Sequence, residues 1–258
     1  MMVAAITSTM SFRFKQFFIE DSKCAMKVGT DGVLLGAWAP VGVRSQESGI
    51  RILDVGTGSG LIARMLMQRC PEAEVEGIDI DEAAVEQARE NGVRAYCSAL
   101  QEWKRVESQE SRVRTNYRLP ITTDKYDLIV SNPPYFQNSL KNPDAGRMTA
   151  RHTDTLSYKD LMHHCARLLQ ENGHLALILP ADAETEVRGL AAAERLSLTH
   201  ITRVYSKEGK APKRILLAFR NLTFDIGHLT IIEDSLVLED EKGGRSAAYS
   251  ELTKDFYL

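Results

Sequence analysis

The sequence has few cysteines, and none of them form a motif. Its four cysteines, Cys24, Cys70, Cys97 and Cys165, are scattered with no CxxC pair. This spacing argues against a disulfide framework and favours reduced thiols in a cytoplasm. The adjacent residues His163 and His164 have no metal-ligand spacing either. We therefore expect the cysteines to be core residues, and we expect no metal site.

Long apolar runs are also missing. The longest uncharged apolar stretch covers residues 33–43, which is far shorter than the roughly 17–25 residues that a membrane span requires. The start of the chain, MMVAAITSTMSFRFK, lacks the long apolar core of a signal peptide. These absences predict a cytoplasmic protein with no membrane partner.

An excess of charge of one sign is absent as well. The chain has 32 Lys and Arg residues and 35 Asp and Glu residues, a formal net charge of −3. An anionic partner would therefore have to be bound by local basic patches rather than by the field of the whole protein. With 258 residues, 43% of them hydrophobic, the chain is large enough for one extensive core. We expect a monomer with a single domain over residues 1–258.

Short apolar segments alternate with segments of helical periodicity. The predicted strands lie at 50–55, 73–80, 93–100, 125–132 and 173–180, and the predicted helices lie at 61–70, 81–92 and 157–169. This alternation is typical of an α/β, Rossmann-like fold, with a mostly parallel sheet and helices on both faces.

Two further segments, 198–206 and 212–221, are separated by a short turn. They predict an antiparallel hairpin at one edge of the sheet, which brings the number of strands to seven. The polar stretch 104–124 is predicted to be an exposed loop. Within the single domain we distinguish an N-terminal extension, 1–45, from a catalytic core, 46–258.

The segment LDVGTGSGL places a glycine turn directly after the first core strand. Gly56, Gly58 and Gly60 allow a ligand to approach the backbone, and the following helix offers free N–H groups. A dinucleotide site would need a glycine at position 61, where Leu61 stands, and the Gly-Lys-Ser/Thr of a P-loop is absent. The pattern that begins at Asp54 resembles motif I of class I S-adenosylmethionine-dependent methyltransferases. The resemblance implies a class I methyltransferase fold whose turn binds the amino-acid end of that cofactor. The alternative is an ordinary strand-to-helix turn.

Asp79 stands where the second parallel strand would end. A carboxylate there accepts hydrogen bonds from both ribose hydroxyls in Rossmann folds, so we predict that Asp79 is a cofactor ligand and that Asp81 is the cap of the next helix. Related enzymes often place an acidic residue after the third strand to bind the adenine amino group, but this chain has Ala99 there. We expect adenine recognition to depend on backbone groups and on packing around Leu100.

The segment VSNPPYF begins at the last residue of the apolar run YDLIV. An amino group conjugated to a ring is a poor nucleophile because its lone pair is delocalised. Two acceptors that bind both N–H bonds localise the lone pair and align the nitrogen for attack. We predict that the Asn132 side-chain oxygen and the Pro133 carbonyl are these acceptors, that Pro134 helps to fix the bend, and that Tyr135 and Phe136 stack on the target base. The alternative is a turn that merely ends the strand.

The Asn-Pro-Pro-Tyr tetrapeptide is similar to motif IV of methyltransferases that act on adenine N6, cytosine N4, guanine N2 or the glutamine amide. Segments 14–38, 150–162 and 249–258 resemble the bacterial tRNA1(Val) adenine-37 N6-methyltransferases. The resemblance therefore covers nearly the whole chain, and MKVGTDGVLLGAW is its most specific part. It implies S-adenosyl-L-methionine as the cofactor and tRNA as the partner.

The same resemblance gives expectations for residues that flank the two motifs. It implies that Lys27, Thr30 and Asp31 form a lid over the methionine end of the cofactor, although Thr30 and Asp31 could equally cap the following helix. Arg151 and His152 are predicted to bind phosphate near the target base, with a polar pair beside a helix as the alternative.

Basic residues are concentrated between positions 203 and 220. Six cations share this stretch with one anion, Glu208: Arg203, Lys207, Lys210, Lys213, Arg214 and Arg220. A folded RNA needs such a series of phosphate contacts, and we predict that Lys207, Lys210 and Lys213 provide them. Arg13 and Lys15 are candidates for a second contact. A solvated strand face would explain either cluster without RNA.

Other functions share parts of this pattern. A release-factor glutamine methyltransferase would have a longer helical substrate domain before the glycine turn, and a DNA adenine methyltransferase would need room for a target-recognition domain. An rRNA guanine N2-methyltransferase also remains open. A non-catalytic nucleotide- or RNA-binding module would have no reason to keep Asn132 and both prolines, and an assay of methyl transfer beside binding separates it from an enzyme.

Overall fold

A computed structural model describes residues 11–41, 49–104, 125–134, 156–222 and 230–258. The strands are β1 (Ser11–Arg13), β2 (Phe18–Glu20), β3 (Arg51–Val55), β4 (Glu74–Asp79), β5 (Arg94–Cys97), β6 (Tyr126–Ser131), β7 (Leu169–Pro180), β8 (Leu196–Tyr205), β9 (Arg214–Asn221) and β10 (Ile232–Val237). The helices are α1 (Thr30–Trp38), α2 (Leu61–Arg69), α3 (Glu82–Glu90), α4 (Tyr158–Leu168), α5 (Glu184–Ala193) and α6 (Ala247–Thr253), with a 3-10 turn at Ala181–Ala183.

Eight strands form one mixed sheet in the order β10-β8-β9-β7-β6-β3-β4-β5. Strands β3 to β7 run parallel to one another, whereas β9 is antiparallel to both β7 and β8. The predicted fold class is confirmed, and so is the hairpin, which is formed by β8 and β9. The sheet has eight strands rather than seven because β10 pairs in parallel with β8. The hairpin is therefore not at the edge.

The core fills both faces of this sheet. Alternate residues of each central strand point to opposite faces: Ile52 packs with α1, α2 and α3, whereas Leu53 packs with α4 and α5. Both side chains are fully buried. This two-sided burial explains why the central strands are continuous apolar runs in the sequence.

The N-terminal residues form a separate two-stranded sheet, β1 with β2. Phe14, Phe17 and Ile19 are buried there against residues of α1 and α2. The predicted boundary at residue 45 and nearly all of the predicted loop 104–124 lie outside the described residues. Within the described ranges, no helix is long and apolar enough to cross a bilayer.

The loops that follow β3, β4, β5, β6 and β7 meet at one edge of the sheet because these strands are parallel. Strand β9 runs the opposite way, so its first residue, Arg214, is paired with the last residue of β7, Pro180. The turn between β8 and β9 therefore lies at the same edge. We call this edge the carboxyl edge of the sheet.

Candidate active site

The loop after β3 is a tight glycine turn that leads directly into α2. Gly56, Gly58 and Gly60 have φ angles of 72°, 54° and 80°, a left-handed region that favours glycine. A Cβ atom on Gly56 or Gly58 would meet no atom of the described residues within 4 Å, so no described side chain covers the backbone there. Gly60 differs, because a Cβ atom on it would lie 2.7 Å from Val93. The structure thus gives Gly60 a packing role.

Asp54 lies beneath this turn and is fully buried. Its Oδ2 atom accepts hydrogen bonds from the Thr57 hydroxyl at 2.8 Å and from the Ala63 N–H at 3.2 Å. Burial nevertheless raises the pKa of the Asp54 carboxyl to about 7, because a dry environment disfavours the charged form. The Oδ1 atom has no hydrogen-bond partner among the described residues. A donor supplied by a ligand or a water molecule would satisfy it.

Strand β4 ends at Asp79, beside the glycine turn. The Asp79 carboxylate accepts hydrogen bonds from the Gly58 N–H at 2.9 Å and from the Asp81 N–H at 3.0 Å. Asp81 caps α3 as predicted, since its Oδ1 atom accepts from the Ala83 N–H at 3.0 Å. Between the two carboxylates, the Ile80 side chain is 56% exposed. The edge of the site thus combines a carboxylate with an exposed apolar side chain.

The segment after β5 contains the two residues predicted to be near adenine. Ala99 is half-buried, whereas Leu100 is buried in the core together with Trp103. The Trp103 indole N–H donates to the Tyr126 hydroxyl at 3.0 Å, and this hydroxyl donates to Glu76 at 3.0 Å. These buried hydrogen bonds fix the segment. The Leu100 side chain points into the core, which leaves Ala99 and the backbone for the predicted adenine contact.

The Asn-Pro-Pro turn begins beside the glycine turn. Val55 and Ser131, the last residues of β3 and β6, are partners in the parallel ladder. The buried Ser131 hydroxyl donates to the Val55 carbonyl at 2.8 Å. The next residues along the two strands, Gly56 and Asn132, therefore emerge side by side at the carboxyl edge.

Asn132 is half-buried, Pro133 is buried and Pro134 is exposed. The chain thus goes from the buried end of β6 to the exposed Pro134 within three residues. The other residues predicted for this part of the site, Tyr135, Phe136, Arg151 and His152, lie outside the described residues.

The predicted lid residues lie in the loop before α1 and in its first turn. The Lys27 ammonium donates to the carbonyl of Asp21 at 2.6 Å, within its own loop. Gly29 is the N-cap of α1 and has no side-chain capping bond. The alternative in which Thr30 and Asp31 cap this helix is therefore wrong, because both residues lie within its first turn.

The cations predicted to bind RNA have different environments. Three of them form ion pairs: Arg203 with Glu184 and Glu233, Lys207 with Glu239, and Arg214 with Asp31. Arg220 lies at the far end of β9, away from the carboxyl edge. Lys210 and Lys213 are exposed, and neither is in an ion pair within the described part of the chain. Strand β9 is two strands from β6, a lateral distance of about 10 Å.

Two residues of this site were not predicted from the sequence. Ser131 links the two turns, and its signal is a polar residue at the end of an apolar run. Ile80 is exposed between two aspartates, and its signal is the alternation Ile-Asp-Ile-Asp, which continues two residues beyond the strand.

Known proteins match this chain in sequence and in fold. Residues 43–190 match the family described as the methyltransferase small domain. A tRNA1(Val) (adenine(37)-N6)-methyltransferase from Bacteroides fragilis is 44% identical over 247 residues, which cover 96% of this chain and 97% of the relative. One from Phocaeicola vulgatus is 45% identical over 247 residues, with the same coverage of both chains.

Among solved structures, a predicted O-methyltransferase from Agrobacterium tumefaciens superimposes with a TM-score of 0.60 at 16% sequence identity, covering 87% of this chain and 96% of its own. That likeness shows the fold alone. The sequence relatives are far more similar and match over nearly their full length. The chain belongs to the family of tRNA1(Val) (adenine(37)-N6)-methyltransferases.

Proposed function

We propose that this protein transfers a methyl group from S-adenosyl-L-methionine to the exocyclic N6 of adenine 37 in tRNA1(Val). Relatives with this name are 44% and 45% identical over 96% of the chain. The observation that carries the proposal for the site is the pairing of Val55 with Ser131, which places the glycine turn beside Asn132.

The residues around the glycine turn fit S-adenosyl-L-methionine. Its amino-acid end carries an ammonium group, which suits the buried Oδ1 atom of Asp54, an acceptor with no partner among the described residues. Gly56 and Gly58 leave open space over the backbone. Asp79 lies at the strand end where a carboxylate binds ribose hydroxyls, and Ile80 offers an apolar surface to adenine. Bound there, the cofactor supplies an electrophilic methyl group.

Asn132 and Pro133 prepare the nucleophile in this proposal. The Asn132 side-chain oxygen and the Pro133 carbonyl accept the two N–H bonds of the adenine amino group, which localises the nitrogen lone pair. Both acceptors follow a fully buried strand end, so they keep their orientation while the nitrogen approaches the methyl group. Neither acceptor is basic, so the proton that the amino group loses goes to water.

The remaining predicted residues complete the proposal. Lys27, Thr30 and Asp31 close the methionine end of the cofactor site. Tyr135 and Phe136 stack on the target base, and Arg151 and His152 bind phosphate near it. The exposed Lys210 and Lys213 bind more distant phosphates together with Lys207. That the protein is a cytoplasmic monomer stays a prediction.

Mass spectrometry of nucleosides tests the proposed substrate. A tRNA1(Val) transcript incubated with protein and cofactor should yield N6-methyladenosine, and a transcript with guanosine at position 37 should yield none. Methylated guanosine, methylation of the control transcript, or methyl transfer to a release factor in place of tRNA would contradict the proposal.

A further inference from the structure

The side chain of Asn91, at the end of α3, bonds to the backbone of two separate segments. Its amide oxygen accepts from the Glu20 N–H at 3.1 Å, and its amide nitrogen donates to the Glu20 carbonyl at 2.7 Å and to the Ser59 carbonyl at 2.8 Å. Glu20 is the last residue of β2, whereas Ser59 lies in the glycine turn between Gly58 and Gly60. Asn91 therefore joins the N-terminal sheet to the glycine turn.

The conformation of the helix end explains why this side chain reaches both segments. Asn91 is the C-cap of α3, and Gly92 follows with a φ of 84°. The chain turns away there, which leaves the Asn91 side chain between β2 and the glycine turn. An amide is needed because it offers a donor and an acceptor on one short group.

Other residues of α3 continue this contact along the N-terminal segment. Gln87 is fully buried and accepts from the Ser22 hydroxyl at 3.2 Å and from the Lys23 N–H at 3.3 Å. Glu90 pairs with the Lys23 ammonium at 2.7 Å. The C-terminal half of α3 thus fixes the chain from Glu20 to Lys23.

The fixed segment leads into the loop that carries Lys27. Cys24 in this loop is buried, and burial raises the pKa of its thiol to about 11, with further contributions from Asp21 and Asp79. Helix α1 follows this loop, and a Cβ atom on its Gly32 would lie 3.0 Å from the side chain of Leu61, the first residue after the glycine turn. The loop and the glycine turn therefore flank the same site, and Asn91 bonds to the chain on both sides of it.

We propose that Asn91 is a positioning residue for cofactor binding, which sets the distance between the N-terminal segment and the glycine turn. The inference depends on the proposed cofactor site, and it adds a residue with no predicted contact to the cofactor. It requires that loss of the Asn91 amide donor weakens cofactor affinity while methyl transfer at saturating cofactor is retained.

The chain offers a matched control at the opposite edge of the sheet. The Asn221 amide nitrogen also donates to two carbonyls, those of Leu169 and Gln170, each at 3.2 Å. Asn91→Asp and Asn221→Asp therefore remove the same kind of donor and place a carboxylate against two carbonyl oxygens. Only the first change removes a hydrogen bond to the glycine turn of the proposed cofactor site.

The experiment measures the Kd for S-adenosyl-L-methionine by calorimetry, kcat at saturating cofactor, and amide hydrogen exchange over residues 18–28. Asn91→Asp should raise the Kd about tenfold or more, keep kcat within about threefold of the parent, and speed exchange in this segment. Asn221→Asp should lower Tm without changing the Kd. Asn91→Ala, which adds no charge, should raise the Kd by a smaller factor.

An unchanged Kd for Asn91→Asp would overturn the inference, and so would an equal rise in the Kd for Asn221→Asp. A parent protein that binds no S-adenosyl-L-methionine would instead contradict the proposed function. The two failures are therefore distinguishable in the same calorimetric series.

Discussion

The glycine turn after β3 and the turn between β8 and β9 lie at the same edge of the sheet, but they are held in different ways. The buried side chains of Asp54 and Thr57 fix the glycine turn from below. The half-buried Asp79 and the buried Ser131 fix it from the side. The β8–β9 turn, residues 206–213, is largely exposed. Its contacts include a backbone bond from Lys210 to Lys207 and an exposed ion pair of Lys207 with Glu239.

This difference separates two tasks of a methyltransferase. Groups that orient a nucleophile lose most of their effect when they are misplaced by an ångström, so they need to be held by buried, well-packed structure. Phosphate contacts act through charge and tolerate mobile side chains. Substitutions near the glycine turn should therefore change the rate or cofactor affinity strongly, and substitutions in the β8–β9 turn should change only tRNA affinity.

The largest expected effect is that of replacing Asn132 on the rate of methyl transfer. Asn132→Ala should lower the rate of methyl transfer by about 10²–10³-fold, the scale for loss of one oriented polar group in a transition state. Single-turnover kinetics with saturating cofactor and tRNA measures this rate. The cofactor Kd of the variant serves as the control and should match that of the parent. A near-parental rate would mean that the Asn-Pro-Pro turn only ends the strand.

Asp79 should give the next largest effect. Asp79→Ala should weaken cofactor binding by about 1.5–3 kcal/mol, because a buried ribose loses a charged acceptor. Calorimetry measures the affinity. Asp81→Ala is the matched control: it removes only the cap of α3, so it should cost about 1 kcal/mol of stability and leave cofactor affinity nearly unchanged. Equal losses of cofactor affinity in both variants would contradict the assignment of Asp79 as a ribose ligand.

Asp54 should make stability depend on pH. Its folded-state pKa is raised from 3.8 to about 7 by burial, so the folded protein binds a proton that the unfolded chain releases between these values. The contribution of this proton to the free energy of unfolding is therefore fully present below about pH 4 and is lost as the pH rises through about 7. The Asp54→Asn variant should not lose stability in this way, because an amide does not ionise. The Tm of the variant minus that of the parent should increase by a few degrees from pH 5 to pH 8, and a constant difference would contradict a neutral buried carboxyl.

The smallest effects belong to the lysines of the β8–β9 turn. Lys210→Ala and Lys213→Ala should each weaken tRNA binding and reduce the slope of log affinity against log salt by about one unit. Lys207→Ala should have less effect, because Glu239 already neutralises part of its charge. Filter binding over a range of salt concentrations measures the slopes. If all three variants show the same salt slope as the parent, the turn is an ordinary solvated surface that does not bind tRNA.

The central strands were predictable because burial on both faces makes them apolar throughout, as in YDLIVS. Strand β10 was not predictable in this way. Of its six residues only Leu236 is buried, and acidic residues interrupt the pattern. Helix α5 is missing from the predictions for a related reason, since Val187 and Ala191 are its only buried residues. Helix α5 packs on the sheet and β10 forms its edge, and each has little apolar surface of its own.

Motif spacing predicted which turns come together at the site, but not how they are held. The ion pair of Asp31 with Arg214 joins residues that are distant in the sequence, and no local sequence pattern predicts it. The sequence likewise does not distinguish Gly60, which makes room for Val93, from Gly56 and Gly58, where a Cβ atom would meet no described residue within 4 Å. These distinctions depend on packing between elements, whereas a motif records only residue type and order.

A single experiment tests the division of tasks between the two turns most directly. Single-turnover rates are measured against tRNA concentration for the parent, for Asn132→Ala and for the double variant Lys210→Ala with Lys213→Ala. We predict that the lysine variant reaches the parental rate at saturating tRNA, whereas Asn132→Ala stays at least about 10²-fold slower at every concentration. A lysine variant that remains equally slow at saturation, or an Asn132→Ala protein that regains the parental rate, would contradict the account.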